Sequence, residues 1–93
     1  LYPSLFMNIP AGIAMMKYKN HYTQQVYDIM MPLVGDFMTQ NILKLQSQKI
    51  GKTVDTLTVD DIPKIAGLIK SGITIFIGSD AANTINQKIL SIH

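Results

Sequence analysis

Apolar residues recur at helical rather than strand spacing along residues 21–50, the longest stretch of the chain without a strong turn signal. On a wheel of about 100° per residue, Val26, Ile29, Met30, Leu33 and Phe37 fall on one broad face. After Phe37 the pattern turns over. Met38, Ile42, Leu45 and, further round, Leu43 and Ile50 lie on roughly the opposite side, while Gln40, Asn41, Lys44, Ser47 and Gln48 take the face that was apolar one turn earlier. Two arrangements explain the flip. In one, Pro32, which lacks an amide hydrogen, kinks the helix or starts a second one, Gly35 adds looseness, and the bend aims both apolar faces at a single core. In the other, the helix is continuous, its first half covered by its own chain and its second half by a neighbour.

The flanking segments read as elements laid against this stretch. Residues 1–9 are expected to form an extended or loosely ordered arm, because their prolines bias the chain away from helix. Residues 10–18 suit a short helix with Pro10 in its first turn, burying Ile13, Met15 and Met16. Asn20 is placed to cap the central helix and Gly51 to stop it, with residues 52–57 as a linker. Thr58 and Asp61 stand at capping-box spacing, Asp replacing the usual Glu, and Pro63 fits the first turn of the helix that follows. Ile62, Ile65, Ala66, Ile69, Ile73, Phe76 and Ile77 then form its apolar stripe.

Residues 73–77 are also a β-branched and aromatic run, a strand candidate. Helix is the preferred reading, since the three-to-four spacing continues through Gly72 and nothing else offers a pairing partner. Gly78 and Ser79 break the run, and Ser79 or Asp80 caps a last helix carrying Ala82, Ile85, Ile89 and Ile92. No internal repeat is visible. The expected fold is all-α: one small domain over residues 1–93, three to four helices packed around a long central helix at about residues 21–50, Pro-kinked in the first arrangement.

Composition adds a pressure towards company. Of the 93 residues, 47% are hydrophobic and only 15% charged, against a usual ~25% charged; mean hydropathy is +0.20. A chain of this size buries only about two-thirds of its unfolded surface. Apolar side chain therefore exceeds the polar surface available to cover it, which favours self-association or a bound apolar ligand. All eight basic residues are Lys and all six acidic ones are Asp. Without the planar fork of Arg, bidentate recognition of phosphate or bases is disfavoured, and a net charge of +2 is modest for a nucleic-acid binder. The absence of cysteine removes disulfides, thiolate chemistry and cysteine metal sites, and suits a reducing, cytoplasmic setting. No run reaches the ~20 apolar residues a bilayer crossing needs, so no transmembrane segment is expected.

Candidate chemistry is sparse. His21, Gln25 and Asp28 share a helical face, but one imidazole makes a poor metal or proton-transfer site. Asp36 borders the apolar face; it reaches water there, or, if buried, needs a Lys or Tyr partner. Gly78 and Ser79, opening a helix, are weak anion-site candidates, opposed by the charge of Asp80. Met30, Met31, Phe37 and Met38 are the candidates for lining an apolar-ligand pocket. Met38, Ile42, Leu45 and Ile50 are the candidates for an oligomer interface, being the face left over after the flip. Tyr18, Tyr22 and Tyr27 near Lys17 and Lys19 form a stacking patch too weakly charged to hold nucleic acid well.

A short helix, a long central helix, then Gly51-Lys52-Thr53-Val54 and Thr58-Val59-Asp60-Asp61-Ile62 opening a third helix, is similar to the order of elements in archaeal histones. The chain departs from that pattern in having no Arg, extra residues in the second loop, Pro32 and Pro63, and a fourth helical segment. The resemblance implies a small DNA-compacting protein. The leading expectation is a non-enzymatic helical interaction module that forms homo-oligomers, with the histone-like DNA binder and a helical carrier of an apolar ligand as alternatives. No catalytic residue, metal or cofactor is expected.

Overall fold

The computed structural model describes residues 17–93, and these form an all-α fold with no strand among the described residues. The arm over residues 1–9 and most of the short helix over residues 10–18, with Met15 and Met16, lie outside the described residues. Three helices pack against one another: α1 (His21–Val34), α2 (Asp36–Lys49) and α3 (Ile62–Leu90), the last led in by a 3₁₀ turn, Val59–Asp61. Residues 73–77 lie within α3 and are helical.

Local chemistry sets most of the boundaries. The Asn20 carboxamide oxygen accepts from the backbone N–H groups of Tyr22 and Thr23, both at 3.0 Å, and so caps α1. Its amide donates to the carbonyls of Asp55 (3.2 Å) and Leu57 (2.9 Å), which ties the linker down onto the start of α1. At the far end of α2, Gly51 adopts φ 74°. The Gly51 N–H donates to the Gln48 carbonyl at 3.0 Å and the Lys52 N–H to that of Ser47 at 2.9 Å, the paired bonds of a Schellman stop. Before α3, the Asp61 carboxylate accepts from the Thr58 N–H at 2.9 Å and from the Thr58 hydroxyl at 3.1 Å, and Lys52 pairs with it at 3.0 Å. Pro63 sits in the first turn, where no N–H is needed.

The expected rod over residues 21–50 is two helices. Pro32 remains inside α1 and does not end it; the corner is at Gly35, with φ 88° and ψ 165°. That region of backbone space is open essentially only to glycine. Thr39 closes the corner, donating to the Gly35 carbonyl through its N–H (3.1 Å) and its hydroxyl (2.6 Å). Because the corner restarts the helical phase, Phe37 does not continue the buried face begun by Val26 and Met30 and is exposed; Leu33, just before the corner, is exposed as well. The continuous central helix that the histone-like order requires is absent.

Gly78 makes the same corner inside α3, at φ 87° and ψ 162°. Aligned on their glycines, the two helix–glycine–helix halves pair Thr23 with Ala66, Val26 with Ile69, Met30 with Ile73, Thr39 with Ala82, Ile42 with Ile85 and Gln46 with Ile89, and every one of these is buried. Burial thus repeats at these six positions, whereas Tyr27, Leu43 and Ser47 are buried where Lys70 and Asn86 are partly buried and Leu90 is exposed. The first helix of each half faces the second helix of the other: Gln25 and Ile29 share one opening with Lys88 and Ile92, and Met38 and Ile42 share another with Gly72 and Phe76. Each fully buried Ile or Met at this interface contributes roughly 1.5–3 kcal/mol of transfer free energy.

By length and composition alone the 32-residue stretch Val59–Leu90 would suffice to cross a bilayer, but the corner at Gly78 divides it into two shorter helices. In the fold Ile65, Ile69, Ile73, Ile85 and Ile89 of this stretch belong to the core.

Candidate functional site

Three of the large apolar side chains left exposed among the described residues, Phe37, Leu45 and Phe76, meet at one groove. Phe37, Met38, Asn41, Ile42, Leu45 and Gln46 of α2 form one wall, at positions repeating every four residues; Gly72 and Phe76 of α3 form the other, and the space is about 340 Å³. Phe37 is 80% exposed, Phe76 64% and Leu45 53%, whereas Ile42 is buried. No charged side chain lines the groove. Such a surface loses free energy to water until something covers it.

The start of α2 holds Phe37 in place. Asp36, its first residue, accepts from the buried Tyr27 hydroxyl and from the Gln40 side-chain amide at 3.0 Å, and the Lys17 ammonium lies 3.5 Å away. The Tyr27 bond, foremost, holds the Asp36 carboxyl below its ordinary range. Burial, then the hydrogen bond to Asp36, pushes Tyr27 up to about 12. Burial, then the Asp36 charge, also raises Tyr18, whose ring meets Tyr27 edge-on at 5.7 Å. Asp36 thus both reaches water and has the Tyr and Lys partners that a carboxylate at this border needs. It anchors a corner, with no reacting group beside it.

At the inner end of the groove the Gln46 side chain packs on Gly72; a Cβ added to Gly72 would stand 3.5 Å from Gln46 Nε2. Among the described residues, Gln46 Oε1 and Ser47 Oγ are buried without a hydrogen-bond partner. A polar group sealed off in this way costs stability.

Of the residues singled out in the sequence, Met38, Ile42, Leu45 and Phe37 come together in this groove. Ile50 lies outside it, partly buried against the core just beyond α2, Met30 is fully buried in the core, and Met31 is partly buried against it. Among the described residues the groove therefore has one methionine. Gly78 is a corner within α3, and Ser79 follows it exposed, so no strand–turn–helix cradle exists there. The Gln25 amide meets His21 Nε2, while Asp28 instead accepts from Gln24 at 2.9 Å. A wider opening of about 570 Å³, lined in part by Asp28, Lys88 and His93, is shallow and carries both signs of charge. No cluster of three metal-binding side chains occurs among the described residues. Gly72 and Phe76 were missed as site residues because Phe76 fits the α3 stripe by spacing and Gly72 reads as an interruption.

The chain matches no protein-family model, no curated protein and no solved structure.

Proposed function

We propose that this chain is a non-enzymatic helical assembly module that associates with copies of itself through the α2–α3 groove. The observation that carries the reading is the convergence of Phe37, Leu45 and Phe76, each more than half exposed, on one uncharged surface. Counted by its halves, α3 brings the number of helical rods to four, and the groove lies between the second and third. Covering it removes apolar surface from water at about 25 cal/mol per Å² before the costs of association are met. Sedimentation equilibrium over a wide concentration range tests this: the chain is expected to form a reversible dimer, and Phe37→Ser to shift it towards monomer. A chain that stays monomeric at every concentration reached would end the proposal.

A second reading rests on the volume of the same groove. About 340 Å³ falls at the lower end of the ~300–1,000 Å³ typical of small-molecule sites. A helical carrier of an apolar ligand would emerge from purification with that ligand bound, which native mass spectrometry would register as added mass.

A further inference from the structure

Gly72 does not use glycine's backbone freedom. It lies inside α3 at ordinary helical backbone angles, where glycine is less stable than alanine. Its own chain leaves room for a methyl group, since the nearest atom to an added Cβ is Gln46 Nε2 at 3.5 Å, an ordinary contact distance. What a side chain at this position would fill is the groove itself. One helical turn further along the same helix stands Phe76, 64% exposed.

We infer that Gly72 is a socket for Phe76 of a second copy of this chain, inserted reciprocally across a two-fold axis. The inference rests on the assembly reading above and names its contact. Spacing is the first reason for choosing a second copy as the occupant. A knob and a hole four residues apart lie on the same face of a helix. When two such helices meet antiparallel about a two-fold axis, each knob faces the other's hole, as a self-complementary interface requires. Charge is the second. In a contact of this symmetry each residue meets the same patch on its partner, and a charged lining would repel itself; this lining has no charged residue. Ile75, 87% exposed and adjacent to Phe76, extends the apolar surface beyond the groove.

The test measures pairing and stability separately, by sedimentation equilibrium and by chemical denaturation at concentrations low enough to keep the chain monomeric. Gly72→Ala is expected to raise the denaturation midpoint of the monomer, because alanine favours helix, while weakening the dimer by about tenfold or more, a clear loss on the affinity scale. Phe76→Ser should weaken it similarly, and the double variant little further, since both remove one contact. Gly67→Ala is the control: it is another α3 glycine with nothing within 4 Å of an added Cβ, and it lies outside the groove. It should raise the midpoint and leave pairing unchanged. A wild-type dimer whose Gly72→Ala and Phe76→Ser variants pair as tightly as wild type would overturn the socket and leave the assembly reading standing, with its interface elsewhere. A wild-type chain that never dimerises overturns both.

Discussion

The two helix–glycine–helix halves bury six matched positions and expose different chemistry. Where the first half has Leu45, the second has Lys88; Phe37 corresponds to Asp80, and Asn41 to Thr84. Conversely, Ile29 of the first half corresponds to Gly72 of the second, and buried Gln46 to buried Ile89. The two openings between the halves differ accordingly: one is polar and carries charges of both signs, the other is apolar with an empty position in its wall. Buried positions are constrained by packing, and small volume changes are felt there. Exposed positions carry no such constraint, and among the described residues the opening between α2 and α3 has an uncharged, largely apolar lining.

The comparison breaks most readily in the core. Met30→Ala and Ile73→Ala remove side chains at the same register position, both fully buried, and each is expected to cost about 2–5 kcal/mol in chemical denaturation. If one costs nearly nothing, the halves are not equivalent. Next come the corners. Gly35→Ala and Gly78→Ala meet no atom within 4 Å, so each isolates backbone strain, expected at about 1–3 kcal/mol. A thermal melt unchanged in either variant would show that that corner tolerates an ordinary residue.

A third, smaller effect has the opposite sign. Gln46→Leu removes the unpartnered Oε1 and places an apolar side chain where the other half has Ile89. A gain of about 1 kcal/mol in unfolding free energy is expected. A loss instead would mean that the carboxamide has a partner in solution.

The smallest effects follow pH. The backbone hydrogen bond from Thr58 foremost lowers Asp61, and the hydrogen bond from the Tyr27 hydroxyl foremost lowers Asp36. Unfolded, these carboxyls titrate near ~3.9. Their contribution is therefore complete above that pH and is lost as pH falls through the lower folded values. Tyr27 acts at the other end: with its folded value raised to about 12 from ~10 in the unfolded chain, stability declines as pH rises through that interval. Asp61→Asn should flatten the acid limb of a stability–pH profile and Tyr27→Phe the alkaline limb. An unchanged limb in either variant would remove that group from the account.

Local signals were the most legible. The Asn20 cap, the Gly51 stop, the Thr58–Asp61 pair and Pro63 are each decided within a few residues, so spacing and side-chain type sufficed to place them. The corner was harder to locate. Pro32 is the stronger breaker by composition, yet the helix passes it and turns at Gly35, because only glycine reaches the backbone angles of the turn. Part of the site was visible in the same way: Met38, Ile42 and Leu45 share the second face of the stretch, whereas Phe37 was assigned to the opposite face and joins them only in the fold, and Gly72 and Phe76 lie in another helix and enter through packing.

The sequence by itself determined the helical class, the helix ends at Asn20, Gly51 and Thr58–Pro63, and the buried stripe of α3 apart from Phe76, since periodicity and capping act over one or two turns. The tertiary structure alone decided that the chain is two halves with six matched buried positions, and that Phe37 and Phe76 are exposed side by side. Those outcomes depend on the phase in which each helix restarts after a glycine corner and on which rods then meet, and neither is a property of any short segment.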